Sequence, residues 1–308
     1  MTKIVVLAGG ESSERRISLK SGQAVYAALR KRFRNVLFID VERDFKERLR
    51  LLNADVAFIA LHGRFGEDGT IQRALDGMGM PYTGSGGEAS RLAMDKIASR
   101  RIFAENGLKV PLFKTVDRSC RPKEIIKEFN LPFVIKPVSE GSSVGLSVVR
   151  APDEIGPALE KAFECGDRVI AEEYIDGREL TVGILDRKPL PVIEIVAERN
   201  IYDYKAKYED ANTRYVVPAR VNEKTYKSAQ LFAHRAHDLL GCRDFSRTDM
   251  RVAADGSIYI LEVNTIPGMT ERSLLPKAAS AAGFDFVRLC VKLVDLAGKR
   301  RKTENAQS

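Results

Sequence analysis

Residues 247–264 read Arg247-Thr248-Asp249-Met250-Arg251-Val252-Ala253-Ala254-Asp255-Gly256-Ser257-Ile258-Tyr259-Ile260-Leu261-Glu262-Val263-Asn264. Two alternating runs flank Asp255-Gly256, a pair tolerant of the positive φ that a type I′ turn demands, so the stretch predicts a β-hairpin. With a two-residue loop, Asp249 falls directly opposite Glu262 and Arg247 opposite Asn264, and the period of two puts all four side chains on one face. The other face carries Thr248, Met250, Val252, Tyr259, Leu261 and Val263, whose mostly apolar character marks it as the core side. Like charges facing each other across a ladder are destabilising unless something positive lies between them. Two readings stand. One is a hard cation held by Asp, Glu and Asn oxygens, the donors Mg2+ takes; the other is a solvated strand face on which Arg247 neutralises the acids.

A second stretch bears on the choice. Phe133-Val134-Ile135-Lys136-Pro137, Ser139-Glu140-Gly141-Ser142-Ser143 and then 144–149 read as strand, small-residue loop, strand. Gly141 allows close backbone approach, and successive N–H groups with two hydroxyls make a nest for phosphate oxygens, while Lys136 adds charge at the strand end. Alone, the loop is equally a plain turn. The chain has no GxxxxGK[ST] motif, and Gly9-Gly10 lacks the GxGxxG spacing of a dinucleotide site. A phosphate loop, a basic strand end and a cation face in one chain together point to a nucleoside triphosphate.

Toward the N-terminus the pattern is α/β. Short unalternating apolar runs at 4–8, 36–40 and 56–61 predict strands buried on both faces, with helices over 18–32, capped by Ser18, and over 44–52. His62 then falls at the carboxyl end of a parallel sheet, where open α/β folds bind ligands. A helix from Ser90 to a stop at Asn106-Gly107 leads into α+β: strands at 113–116, 132–136, 145–149, 169–174, 179–185 and 191–196, helices at 123–129, 154–164 and 223–240. The polar, tyrosine-rich stretch 198–214 is long for a plain connection and is expected to be a lid or binding loop.

The 308 residues suggest two or three domains. Lys and Arg exceed Asp and Glu by 50 to 42, a net +8 that raises the question of nucleic acid, but four of the cations, Lys299, Arg300, Arg301 and Lys302, lie past Gly298 in what reads as a solvated, frayed tail. No basic stripe with interleaved aromatics appears elsewhere. Cys120, Cys165, Cys242 and Cys290 are scattered, which argues against a zinc site or a disulfide framework. With neither a signal-peptide pattern nor an apolar run of about 18 residues, a soluble cytoplasmic protein without a membrane or nucleic-acid partner is expected.

Taken in order, the blocks Gly9-Gly10-Glu11-Ser12-Ser13-Glu14-Arg15, Leu61-His62-Gly63, Gly66-Glu67-Asp68-Gly69, Pro81-Tyr82-Thr83-Gly84-Ser85-Gly86, Met94-Asp95-Lys96, Lys136-Pro137, Glu140-Gly141-Ser142-Ser143-Val144-Gly145, Lys207-Tyr208, Arg247-Thr248-Asp249 and Glu262-Val263-Asn264-Thr265-Ile266-Pro267-Gly268-Met269-Thr270 closely resemble the D-alanine-D-alanine ligases of the ATP-grasp superfamily. The resemblance covers nearly the whole chain. It implies a parallel α/β domain over 1–93, then two α+β domains over 94–175 and 176–308 that enclose ATP. It further implies phosphorylation of one D-alanine carboxylate and attack on the acyl phosphate by the amine of a second D-alanine, for peptidoglycan synthesis in a cytoplasmic homodimer.

By the same resemblance Asp249, Glu262 and Asn264 hold two Mg2+ ions, with Mn2+ able to replace them. Lys96 and Lys136 reach the phosphates, with Ser142 and Ser143 in the phosphate loop. Glu172, Glu173, Tyr174 and Ile175 form the adenine strand, and Glu179 holds the ribose. Arg247 and the Gly268 N–H stabilise the tetrahedral oxyanion. Glu14 binds the first ammonium in a set with Ser142 and Tyr208. Ser273 and the Leu274 N–H receive the second carboxylate, Lys207 lies in the closing loop near the transferring phosphate, and His62 orients substrates or helps with the amine proton. His234 and His237 read as structural. Lys207-Tyr208 favours a dipeptide over the ester made by D-lactate ligases, which, with D-serine ligases, are the enzyme rival. A basic nucleic-acid binder on a degenerate ligase fold is the non-enzyme rival.

Overall fold

A computed structural model describes residues 2–42, 44–196 and 213–304. The apolar runs near the N-terminus form β1 (Lys3–Gly9), β2 (Asn35–Val41) and β3 (Val56–Ile59), a parallel sheet of order β2-β1-β3. All but one of the seven β1 residues are buried, as a strand covered on both faces requires. Helix α1 (Arg15–Arg30) covers one face and α2 (Phe45–Leu52) and α3 (Thr70–Asp76) the other. Ser18 does not cap α1, which starts earlier at Arg15; its hydroxyl is buried, accepting from Gly9 N at 2.8 Å and donating to Ala60 O at 2.8 Å.

The single helix expected from Ser90 is two helices, α4 (Gly87–Met94) and α5 (Lys96–Glu105). Asp95 breaks the run in an extended conformation and caps α5, its Oδ1 accepting from Ile97 N and Ala98 N. Strands β4 (Phe113–Val116), β5 (Phe133–Pro137), β6 (Ser147–Val149) and β7 (Val169–Glu173) make an antiparallel sheet of order β4-β7-β5-β6, with α6 (Pro122–Ile126) and α7 (Ile155–Glu164) contributing to its core.

The third sheet holds β8 (Arg178–Leu185), β9 (Lys188–Pro189), β10 (Ile193–Val196), β11 (Arg214–Val216), β12 (Phe245–Val252) and β13 (Ile258–Asn264), its main path running β11-β10-β8-β12-β13 with α8 (Glu223–Leu239) against it. Most of the expected lid over 198–214 lies outside the described residues. His237 on α8 is buried against Ser246 Oγ at 2.7 Å, and burial pushes its imidazole down to about 4, in keeping with a structural part.

The hairpin has the expected pairing, Asp249 with Glu262 and Arg247 with Asn264, reached by a different route. The turn spans three residues rather than two, Gly256 N bonding to Ala253 O and Ala253 N to Ser257 O. A bulge past Asp249 then inserts one residue on β13 and restores the register. The turn and the bulge also correct the face assignment, the turn at Tyr259 and the bulge at Leu261. Ile258 and Ile260 are the buried positions, while Tyr259 and Leu261 are only half-buried and Leu261 lines a cavity.

The basic segment after Gly298 is not a loose tail. Helix α9 (Leu274–Ala281) is followed by α10 (Phe286–Glu304), which passes straight through Gly298. Leu289, Leu293, Val294 and Ala297 of α10 share one core with Ile4, Val6, Val25 and Leu29. Arg300 donates to Asp244 Oδ1 and to Tyr82 O, and Asp244 Oδ2 accepts from Gly84 N at 2.9 Å. Asp244 is 9 % exposed at φ +61, a left-handed conformation that aspartate tolerates. Asp244→Ala strands Arg300 and the Gly84 N–H together and is expected to cost about 3 kcal/mol, with Asp244→Asn costing less; denaturant unfolding of the two variants measures the difference.

Candidate active site

Two cavities adjoin across the hairpin. The larger, about 820 Å3, is lined by Glu14, His62, Lys96, Ser142, Arg247, Glu262, Asn264, Gly268, Ser273 and Leu274. The smaller, about 110 Å3, is lined by Lys96, Lys136, Ser143, Glu172, Glu173, Tyr174, Ile175, Glu179, Asp249 and Glu262. Lys96 and Glu262 belong to both, and their 3.4 Å ion pair stands where the cavities meet. The sequence-predicted residues therefore come together in two adjoining groups, with Lys207 and Tyr208 outside the described residues.

The hairpin face is densely paired. Arg247 grips Asp249 with two bonds, Nε to Oδ1 at 2.8 Å and Nη2 to Oδ2 at 2.7 Å, while Thr181 Oγ1 donates to Oδ1 at 2.6 Å. A carboxylate has about four lone-pair positions, so Asp249 has at most one left for a cation. Glu262 is a quarter exposed and forms an ion pair with Lys96 at 3.4 Å. Asn264 Oδ1 accepts from Ile266 N at 2.8 Å, which fixes the amide oxygen. Among the described residues no three His, Cys, Asp or Glu cluster as metal ligands. The set of two acids and an amide on one face offers oxygen donors and fits a hard dication. Arg247 neutralises Asp249, as the second reading of this face expects, but both side chains are buried rather than solvated.

The loop expected to hold phosphate is a built feature. Ser142 and Ser143 both adopt positive φ, +48 and +59, and line the larger and the smaller cavity respectively. Ser142 Oγ donates to Glu14 Oε1, tying the loop to the start of α1. A Cβ on Gly141 would meet Glu14 Oε2 at 2.8 Å, so a side chain there would displace the Glu14 carboxylate. Lys96 Nζ donates to Glu140 O at 2.7 Å, and Arg64 pairs with the Glu140 carboxylate at 3.0 Å.

Beneath the small cavity lies a buried triad. Glu172 receives Lys136 Nζ at 2.8 Å on Oε1 and Arg100 on Oε2, all three side chains less than a tenth exposed. Burial alone would push Glu172 up, but the two cations hold it below the usual carboxylate range. Burial pushes Lys136 down to about 8 against the pull of Glu172. Glu172 thus presents its side chain to the cations, and Glu179 lies 3.7 Å from Arg251 Nε, whose guanidinium sits 5.6 Å above the Tyr174 ring.

On the far wall of the large cavity Ser273 Oγ accepts from Thr270 N at 3.1 Å, and α9 begins at Leu274. His62, 4 % exposed, bonds through Nε2 to Ser21 Oγ at 2.9 Å and through Nδ1 to Glu67 Oε1 at 3.2 Å. Sequence reasoning gave no role to Ser21, Glu67, Arg100 or Thr181. Arg100 was findable, since it stands four residues after Lys96 on one helix face; Glu67 lies inside a quoted block, and the other two carry no local signal.

Family models describing the D-ala D-ala ligase N-terminus and C-terminus match residues 42–85 and 102–295. The chain belongs to the D-alanine-D-alanine ligase family. It is 48% identical over 296 residues to the D-alanine--D-alanine ligase of Citrifermentans bemidjiense, covering 96% of each chain, and 44% identical to that of Geobacter sulfurreducens, covering all of this chain and 98% of the relative. The D-alanine--D-alanine ligase of Bacillus anthracis solved in complex with ATP superposes with a TM-score of 0.85 at 32% identity, over 99% of this chain and all of the other. The ATP-grasp fold expected from the sequence is the fold observed.

The depressed lysine gives a signed expectation. From pH about 8 up to the ordinary lysine value, the unfolded chain keeps a proton that folded Lys136 has released, so its contribution favours folding increasingly as pH rises through that window. Lys136→Met removes this component. Unfolding free energies of the parent and the variant, compared from pH 7 to 10, are expected to diverge with the parent gaining; parallel profiles would contradict the assignment.

Proposed function

We propose that the protein joins two D-alanine molecules to D-alanyl-D-alanine, consuming ATP through an acyl phosphate. The observation that carries this reading is the shared wall of the two cavities. A nucleotide whose base lies along Glu172, Glu173, Tyr174 and Ile175 has its phosphates at Lys96, Lys136, Ser142 and Ser143, next to Glu262 and the large cavity. The carboxylate to be activated lies on the other side of that junction.

In this reading Glu179 holds the ribose, and Glu14, bonded to Ser142, receives the first ammonium. Ser273 and the Leu274 N–H, at the start of α9, receive the second carboxylate. Arg247, aligned by its grip on Asp249, and the Gly268 N–H stand where the oxyanion of the tetrahedral intermediate develops. Asp249, Glu262 and Asn264 would hold two Mg2+ or Mn2+ ions, which supply charge neutralisation of the triphosphate when bound. Lys207 and Tyr208 complete the set, favouring an amine over a hydroxyl acceptor.

We take residues 1–93, 94–175 and 176–308 as three units, with α10 packed back on the first, and the molecule as a cytoplasmic homodimer serving peptidoglycan synthesis. No helix among the described residues is long and apolar enough to cross a membrane.

Phosphate release from ATP and Mg2+ with D-alanine, L-alanine or no amino acid tests the reading, and strict dependence on D-alanine is expected. Product analysis with D-alanine against D-lactate or D-serine as acceptor separates the dipeptide from the ester and mixed products. Glu262→Gln is expected to remove Mg2+-dependent turnover with the far-UV CD spectrum unchanged; retained turnover would overturn the metal assignment.

A further inference from the structure

Gly268, the oxyanion donor of the proposed reaction, sits in a loop fastened by its neighbours. Ile266 is buried in the core on one face of the first sheet and Met269 in the core on the other. These anchors fix the ends of the loop but not the peptide planes between them. Gly268 lacks a Cβ and so has the widest backbone freedom in the segment. A single side-chain bond constrains the plane that follows it: Met269 N donates to Ser21 Oγ on α1 at 3.2 Å, linking positions 248 residues apart.

Ser21 is not an isolated acceptor. Its hydroxyl also bonds His62 Nε2 at 2.9 Å, and His62 Nδ1 bonds Glu67 Oε1 at 3.2 Å, with Ser21, His62 and Glu67 all buried. The valences give this chain a direction. Burial pushes the Glu67 carboxyl up and its hydrogen bond with His62 pulls it back down; in its ionised form Glu67 only accepts, so on a neutral imidazole Nδ1 carries the hydrogen and Nε2 presents a lone pair. The Ser21 O–H then points to Nε2, leaving its oxygen lone pairs for the Met269 N–H. If His62 carried its hydrogen on Nε2, Ser21 Oγ would serve two donors at once and its own hydrogen would be released toward the cavity.

We propose that Ser21 and Glu67 are positioning residues for acyl transfer: acting with His62, they hold the Met269 N–H and so restrict the ψ of Gly268, narrowing the directions open to the Gly268 N–H that faces the oxyanion. This rests on the oxyanion role proposed for Gly268 and Arg247. A misplacement of about 1 Å in such a donor costs on the order of a hundredfold in rate, whereas phosphoryl transfer at Lys96 and Lys136 does not involve this loop. The chain therefore separates the two half-reactions.

The test is Ser21→Ala in the full-length enzyme, a change too small to threaten folding. Overall dipeptide formation is expected to fall about ten- to a hundredfold in kcat, with KM for ATP unchanged. D-alanine-dependent scrambling of 18O between the β,γ-bridge and non-bridge positions of ATP, which reports acyl-phosphate formation, is expected to persist at the parent rate. Dipeptide formation at the parent rate, or equal loss of both activities, would overturn the proposal. A second readout is independent of rate: 15N NMR of histidine-labelled protein is expected to show His62 neutral with the hydrogen on Nδ1. Glu67→Gln, which still offers an acceptor oxygen, should keep that tautomer and most activity, and Glu67→Leu should move the hydrogen to Nε2. An Nε2-protonated parent would contradict the direction of the chain. Arg247→Met serves as the control on the underlying reading: if it too leaves dipeptide formation intact, the oxyanion assignment itself fails, and if it alone abolishes activity, only the role of Ser21 and Glu67 fails.

Discussion

Two carboxylates face each other across adjacent strands, and the molecule around them is arranged to answer that repulsion. Arg247 lies across Asp249 with both guanidinium bonds, Thr181 adds a hydroxyl, and Lys96 reaches Glu262 from the start of α5. The cost of such pairing in a half-buried place is desolvation, which only good geometry offsets. That cost explains why the face is assembled from three separate parts of the chain. Lys96 comes with the break at Asp95, Thr181 comes from β8, and the acids come from β12 and β13. The same cations that quiet the acids in the free protein lie where a triphosphate and an oxyanion would need them, so the local charge balance and the proposed chemistry use one set of side chains.

A second ion cluster works differently. Arg100, Glu172 and Lys136 are nearly sealed from solvent, and the lysine's proton affinity is lowered by that sealing. The carboxylate holds both cations, and of the two Lys136 lines the small cavity. Such a triad adds little net stability compared with apolar packing, and its value lies in fixing where a lysine ends before any anion arrives.

The strands of the first sheet were plain from sequence because burial on both faces leaves an uninterrupted apolar run, and the hairpin was plain because alternation and Asp255-Gly256 agree. The pairing of Asp249 with Glu262 came out as expected only because a three-residue turn and a one-residue bulge offset each other. The face of Leu261, which depends on the bulge alone, did not. Local pattern also failed where long-range partners decide. Gly298 looks like a stop, but α10 continues because its apolar side is covered by the first sheet and Arg300 finds Asp244. Asp95 looks like an ordinary helical residue until its cap on α5 is seen. Most of the site was readable as motif blocks, since loops that approach ligands need small residues, positive φ and fixed charges. Ser21 reaches Met269 directly and Glu67 reaches Ser21 through His62, and no spacing rule marks that relation.

The shared core of β1, α1 and α10 has a consequence for how the chain comes into being. One face of β1 is covered by residues synthesised long after it. During translation that face of the parallel sheet stays open until residues 286–297 have left the ribosome, so β1 is finished only once α10 has been made. An apolar surface exposed for that long is a natural client for a chaperone. Removing α10 would strip a sheet that lies far from it in sequence.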